Sequence, residues 1–311
     1  MTLYSIEPER RTLHGHFSRE LPPVLTIDSG DTVRFRLLDP GWGLEPFVRI
    51  NPPRRKFEPR LKGLDDGHAL CGPIAIHGAA PGMTLEIKIN EIVPGAWGWT
   101  TAGGWPSEVN NRLGVEKEAA LFSWTLDAGK KIGVNQHGHK ISLRPFLGVM
   151  GMPPNEPGIH STIPPRYCGG NLDCKELVAG STLYLPISVL EALFSVGDGH
   201  AVQGDGEVCT TAIECPMERV ELTFILRDDL LLTMPRANTP IGWITLGLHE
   251  NLQEAMLLAL EDMVKLIAAQ NSLSRLDALA LASLVVDLRI TQIVNGVCGV
   301  HAVLPHGAIQ H

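Results

Sequence analysis

The residues best suited to chemistry lie between Pro164 and Glu214. This segment includes carboxylates, an amide and an imidazole: Asn171, Asp173, Asp198, His200, Asp205, Glu207 and Glu214. Such side chains are the usual protein ligands of divalent cations. Zinc accepts imidazole together with carboxylates, whereas calcium prefers oxygen atoms alone. The segment therefore predicts a divalent metal site, with zinc preferred because of His200 and calcium as the second candidate.

The spacing within this segment supports a metal site. Asp198 and His200 are two residues apart, which places both side chains on one face of an extended strand. Glycines at 197, 199, 204 and 206 allow tight turns and close approach to a ligand. The spacing does not fit the EF-hand calcium loop. The alternative is that the Asp-Gly pairs form β-turns with solvated carboxylates.

Strands should position this segment. Val33, Phe35 and Leu37 alternate with polar residues, and Leu85, Ile87 and Ile89 do the same, which is the period of half-buried strands. Further strands are expected at 182–187 and 220–234, the latter as a hairpin turning at 227–229. Residues 94–140, with Trp97, Trp99 and Trp105 among glycines, read as an irregular loop. The fold class predicted is mainly β, a β-sandwich or barrel-like body.

The last third of the chain changes character. Apolar residues recur at helical spacing between Asn251 and Gln270, and Ser274 followed by Asp277 is typical of a helix start. With strands at 243–248 and 289–294, this part forms a small α+β unit. We predict two portions: residues 1–235, a β-rich body that carries the metal site, and 236–311, an α+β portion packed against it.

Composition excludes several classes of protein. The net charge is -8 and no basic run is longer than Arg54-Arg55-Lys56, so nucleic-acid binding is not expected. No stretch approaches the roughly 20 apolar residues that span a bilayer, and the polar N-terminus lacks a signal core. These features predict a cytoplasmic protein without a membrane partner. Its six cysteines are then expected to be free thiols.

Ordered blocks along the chain resemble the acetamidase/formamidase family. The central blocks are Gly169-Gly-Asn-Leu-Asp173, Ser195-Val-Gly-Asp-Gly-His-Ala-Val-Gln-Gly-Asp-Gly-Glu207 and Ala212-Ile-Glu214. Others are Leu21-Pro-Pro-Val-Leu-Thr-Ile-Asp-Ser-Gly-Asp-Thr-Val33, His68-Ala-Leu-Cys-Gly-Pro73, Phe146-Leu-Gly-Val-Met-Gly151 and Gly299-Val-His-Ala-Val-Leu-Pro305. One region departs from the family pattern, where Asp39-Pro-Gly-Trp-Gly-Leu-Glu-Pro-Phe47 is followed by a basic run to Arg60.

The resemblance implies hydrolysis of a short aliphatic amide, formamide- or acetamide-like, to a carboxylate and ammonia. It also implies a jelly-roll-like β body with an added α+β portion, a divalent metal and a homo-oligomer, dimer or higher. We expect Asp173, Asp198, His200, Asn171 and His68 to supply metal ligands. Glu214 or Glu207, with His200, would be catalytic, since a carboxylate can move a proton between water and the leaving nitrogen.

Two other functions fit the residues. Cys168 and Cys174 flank the Asn-Leu-Asp block, so a cysteine-nucleophile amidase is one alternative, provided a base or positive field lowers the thiol pKa. The other is a non-enzymatic β-sandwich module that binds a ligand and is stabilised by a metal. Histidine among the oxygen ligands favours the enzyme over a pure calcium module.

Overall fold

The computed structural model describes residues 1–310. Its strands are β1 Leu3–Ile6, β2 Leu13–His14, β3 Leu25–Ile27, β4 Thr32–Leu37, β5 Leu70–Ile76, β6 Thr84–Pro94, β7 Trp97–Gly103, β8 Ala119–Asp127, β9 Ile132–Asn135, β10 Lys140–Ser142, β11 Phe146–Gly151, β12 Gly169–Asn171, β13 Thr182–Pro186, β14 Phe194–His200, β15 Met217–Arg227, β16 Arg236–Thr239, β17 Gly242–His249, β18 Asp287–Gln292 and β19 Cys298–Pro305. Its helices are α1 Glu108–Leu113, α2 Leu252–Asn271 and α3 Arg275–Val285.

The strands form three sheets. The large sheet has nine strands in the order β1-β4-β15-β6-β13-β16-β17-β19-β18. The site sheet has the order β12-β11-β14-β5-β2, with β3 also paired to β5, and a third sheet has the order β10-β9-β8-β7. The prediction of a mainly β protein is confirmed.

The large sheet and the site sheet pack face to face. Alternate residues of β4 and β15, such as Phe35 and Phe224, share one buried cluster with Cys71 of β5 and Val196 of β14. The rings of Phe194 and Phe224 meet edge to face across the two sheets at 5.0 Å. Burial of these two inner faces is what holds a β-sandwich together, so the predicted sandwich is present.

The two long helices cover the far end of the large sheet. Ala255 and Ala259 of α2 pack on β17, where a Cβ at Gly247 would lie 1.9 Å from the Ala255 carbonyl oxygen. Only a glycine permits this approach. Both helices start as the sequence predicts, and Ser274 caps α3 by accepting from the Asp277 N–H. Among residues 1–310, no helix combines the length and apolar character needed to cross a membrane.

Two predicted segments are wrong. Residues 94–140 are not an irregular loop, because β7 to β10 form the third sheet and α1 lies between β7 and β8. Residues 230–234 do not return as a hairpin strand after β15. Both edges of β15 are already paired, to β4 and to β6, so no edge is free for them. The large sheet contains strands from both sides of residue 235, and the division into two portions stays a prediction.

Candidate metal centre

The central block of the sequence folds into the middle of the site sheet. His200 and Asp198 lie on β14, and Asp173 follows the short strand β12. Glu214 reaches them from a loop that bridges to both Trp99 and His200, and Glu207 comes from the loop between. Each of these five side chains is at least nine-tenths buried. The structure therefore brings together, inside the protein, the acids and the imidazole predicted from the sequence.

His200 is the centre of the cluster. Its Nε2 atom lies 3.2 Å from Asp198 Oδ1 and 3.1 Å from Glu214 Oε2. Its Nδ1 atom lies 4.0 Å from Asp173 Oδ1. The ring packs edge to face against Phe146 at 5.0 Å, which limits its rotation. Two carboxylates thus converge on the same nitrogen of one buried ring.

Gln203 fixes the proton on His200, a role that the sequence interpretation missed. The Gln203 amide nitrogen donates to the Asp173 carbonyl oxygen at 2.9 Å, so its Oε1 faces His200 Nδ1 at 3.0 Å. An amide oxygen only accepts, so Nδ1 carries the proton. In the neutral ring, the Nε2 lone pair then points towards the carboxylates, as in a metal-ligating histidine held by a hydrogen bond on its other nitrogen.

Asn295 is the second residue that the sequence interpretation missed. Its amide nitrogen donates to Asp173 Oδ2 at 2.7 Å from a position 122 residues away in the chain. This bond occupies one carboxylate oxygen and leaves the other, Oδ1, without a hydrogen-bond partner. Asn295 therefore orients the Asp173 carboxylate towards the cluster.

Four buried oxygen atoms at the centre have no hydrogen-bond partner among the described residues: Asn171 Oδ1, Asp173 Oδ1, Glu207 Oε2 and Glu214 Oε2. Burying a polar atom without a partner costs roughly 1–3 kcal/mol, and more for a charged one. Folded proteins rarely leave several such atoms together. Unpartnered oxygens around an imidazole fit a bound divalent cation.

The pKa values show how crowded the acids are. Burial, together with the charge of Asp198, raises the pKa of Asp173 to about 8 even though His200 acts in the opposite direction. Burial raises the pKa of Glu214 to about 7 and that of Glu207 well above its usual range. Burial also acts to raise the pKa of Asp198, but His200 and His68 lower it to about 2. A cation would stabilise the ionised form of every one of these acids.

Backbone conformation adapts to this arrangement. Asp173, Asp198 and Glu207 all have positive φ angles, of 48°, 59° and 45°. Side-chain-bearing residues adopt this region rarely, and such residues concentrate at functional sites. From its spacing to His200 we expected Asp198 to be extended, and its positive φ angle shows that it is not. The side chains of Asp198 and His200 nevertheless lie close together.

A cavity of about 440 Å³ opens above the cluster. Asp198, Glu207 and Glu214 lie on its wall, and so do the two other predicted ligands, His68 and Asn171. His68 Nδ1 is hydrogen-bonded to the Thr162 hydroxyl at 2.8 Å.

The donor set has the composition expected for a metal. Asp173, Asp198 and His200 offer ligand atoms within 4.8 Å of one another, and so do His200, Glu207 and Glu214. His68 belongs to neither of these two groups, although it lines the same cavity. Asp205 pairs instead with Lys175 at 2.9 Å. One buried imidazole among carboxylates suits zinc, with open space above it for a substrate.

Comparison with known proteins places the chain in a family. A family model described as the acetamidase/formamidase family matches residues 4–161 and 156–241. A protein of Schizosaccharomyces pombe, named as a candidate formamidase, is 27% identical over 252 residues, which cover 64% of this chain. The aligned part spans 60% of the length of that relative.

Two solved structures have the same fold over almost the entire length. One is a recombinant acetamidase/formamidase candidate of Thermoanaerobacter tengcongensis, with a TM-score of 0.84, 25% identity and coverage of 98% of this chain and 96% of the other. The other is an acetamidase of Bacillus halodurans, with a TM-score of 0.82, 26% identity and coverage of 98% and 97%.

Proposed function

The chain belongs to the acetamidase/formamidase family, and from this premise we propose that it is a metal-dependent hydrolase that converts a short aliphatic amide to a carboxylate and ammonia. The observation that carries the proposal is the group of unpartnered oxygens around His200 beneath an open cavity. A divalent ion held there supplies the Lewis acid that polarises an amide carbonyl and makes water more acidic.

We assign two roles to the residues around His200: some are metal ligands, and one is the general base. Asp173, Asp198 and His200 are the ligands best supported by geometry, because Asn295 and Gln203 already orient two of them. Glu214 is the preferred general base. Its Oε1 accepts from the Ala212 N–H at 2.8 Å, its Oε2 has no hydrogen-bond partner, and the residue lines the cavity.

Glu214 also has a suitable proton affinity. Burial raises its pKa to about 7, and a bound cation would lower that pKa again, so Glu214 would be ionised at neutral pH, as a general base must be. It can accept a proton from water and deliver it to the amide nitrogen as that nitrogen leaves. Glu207 is the second candidate, since its Oε2 also has no hydrogen-bond partner and the residue lines the same cavity.

An ammonia-release assay tests the proposal. The purified chain is given a series of short amides before chelation, after chelation, and after zinc, calcium or manganese is restored. We expect turnover that is lost on chelation and recovered best with zinc. Absence of turnover with every amide and every metal would exclude the hydrolase and favour the non-enzymatic ligand-binding module.

Replacing Gln203 with Leu should weaken metal binding by about 10- to 100-fold, the usual effect of losing a hydrogen bond that orients a ligating histidine. The variant removes the acceptor at His200 Nδ1 and leaves every ligand in place. Metal affinity is measured by competition with a chromophoric chelator. Gln136→Leu, on an exposed turn, is the control. An unchanged affinity in Gln203→Leu would mean that His200 does not ligate through Nε2.

Replacing Cys168 and Cys174 with Ala, singly and together, should leave amide turnover within about threefold of the unmodified chain. Both thiols are buried, and burial raises the pKa of Cys168 to about 11 and that of Cys174 to about 12. A protonated, buried thiol is a poor nucleophile. Loss of turnover with metal content and melting temperature retained would instead support the cysteine amidase.

The family resemblance also leads us to infer a homo-oligomer. The outer strand of the large sheet, β18, exposes the apolar side chains of Leu288 and Ile290, and exposed apolar patches commonly serve as subunit contacts. Whether the assembly is a dimer or larger stays a prediction.

A further inference from the structure

Two cationic side chains line the cavity in addition to the acids of the cluster. Lys56 and Arg60 both line it together with the exposed Asp66. Arg60 lies 3.5 Å from the exposed Glu58, whereas no carboxylate among residues 1–310 lies within ion-pairing distance of the Lys56 ammonium.

The loop that carries Lys56 is held in place. Lys56 forms an antiparallel bridge with Gly43, and Phe57 donates its N–H to the Trp42 carbonyl at 2.8 Å. Beside it, a buried ion pair joins Arg54 and Asp39 at 2.5 Å. The Arg54 guanidinium also lies 4.9–5.7 Å from three aromatic rings, those of Phe47, Trp97 and Trp99. Lys56 therefore lies on a supported part of the cavity wall.

The charge on this wall is incompletely balanced. Burial lowers the pKa of Lys56, and the positive charges of Arg60 and Arg54 lower it further. A bound anion would offset both effects, because it would supply the missing partner of a half-buried ammonium. The size of the cavity, about 440 Å³, is in the range of pockets that hold ligands much larger than acetamide. It therefore has room for a substrate that carries a second functional group besides the amide.

We propose that the preferred substrates are short linear amides that carry a carboxylate at the end opposite the amide, and that Lys56 and Arg60 bind this carboxylate. The proposal rests on the proposed function: the amide lies over the cluster around His200, and the carboxylate lies against the cationic wall. Both cations are specificity-determining residues and take no part in the proton transfers.

Matched substrates test the proposal. Ammonia release is measured for the carboxylates succinamate and glutaramate, for their neutral isosteres 4-methylpentanamide and 5-methylhexanamide, and for the cation 4-aminobutanamide. At least one carboxylate amide should have a kcat/KM about tenfold or more above that of its isostere, the effect of a new charge-assisted contact.

Variants then assign the preference. Lys56→Met should raise KM for the favoured carboxylate about tenfold with kcat nearly unchanged, and should leave the neutral isostere unaffected. Arg60→Gln should act in the same direction, and Lys56→Glu should favour 4-aminobutanamide. Lys62→Met, an exposed lysine in the same loop and outside the cavity wall, is the control.

The outcomes separate the two proposals. Equal kcat/KM values for the charged and neutral members, or a preference indifferent to both variants, would overturn this inference and leave the amide hydrolase standing. Failure to release ammonia from all five amides, with formamide or acetamide still hydrolysed, would overturn this inference alone. Failure with every short amide and every metal would overturn the proposed function, and this inference with it.

Discussion

His200→Ala should abolish metal binding and lower amide hydrolysis on the order of 10³-fold, within the range seen when a group that acts on the transition state is removed. The ring has contacts to Asp198 and Glu214 at 3.2 and 3.1 Å through one nitrogen. Without the His200 ring, the cluster consists of closely spaced acids alone, and a zinc ion would have no nitrogen ligand within the cluster. Metal content by mass spectrometry and kcat/KM are the measurements.

Asp198→Asn is the matched variant, because it keeps the shape of the side chain and removes the charge. Burial acts to raise the pKa of Asp198, but His200 and His68 lower it to about 2, the lowest of the cluster, so Asp198 should contribute a full negative charge to the ion. We expect a partial loss of metal, smaller than that in His200→Ala. His137→Ala, on an exposed turn, is the control. Unchanged metal content in both site variants would remove these two residues from the metal centre.

Much of the site could be predicted because its residues lie in one short segment. Asp198 and His200 share a strand, and Asp173, Glu207 and Glu214 lie within 42 residues of one another in sequence. Chemically unusual side chains at short spacing leave a local signal. The amides that support them do not, because Asn295 reaches Asp173 across 122 residues and Gln203 is an ordinary polar residue until its partners are known.

The same reasoning explains which strands could be predicted. Strand β4 alternates between buried and exposed positions, so its period of two is visible in the sequence. Strand β7 is partly exposed along most of its length and is built from Trp, Gly and Thr, so no apolar alternation marks it. For residues 230–234 the apolar pattern was present, but the pairing of β15 on both sides decided against a strand. That information lies in the topology and not in the segment itself.

Gly148 is the position where the smallest change should have a large effect. It lies in the middle of β11, opposite Asp198 in the register that pairs Leu147 with Gly199 and Val149 with Gly197. A Cβ atom there would lie 2.3 Å from Asp198 Oδ2 and 2.7 Å from Asp173 Oδ1. Both distances are far below van der Waals contact, so a methyl group at this position competes directly with the two carboxylates.

The backbone at Gly148 has little freedom to move away. Its carbonyl oxygen accepts from the Leu172 and Asp173 N–H groups at 2.9 and 3.2 Å. Strand β11 is also paired to β12 and β14 on its two sides. The φ angle of Gly148 is not in the left-handed region, so an alanine would cause no backbone strain of its own. The carboxylates are the groups that must move.

Gly148→Ala should therefore reduce metal content to near zero and lower kcat/KM by about 100-fold or more, since a displacement of about 1 Å is enough to cost that much in a preorganised site. The chain should still fold, because the three atoms nearest to the added methyl group all belong to side chains. Circular dichroism and the melting temperature of the metal-free protein check folding. Gly129→Ala, whose Cβ would make only ordinary contact at 3.5 Å, is the control. Full metal content and full activity in Gly148→Ala would show that Asp173 and Asp198 do not need their present positions, and the metal centre would then have to be assigned to His200, Glu207 and Glu214 alone.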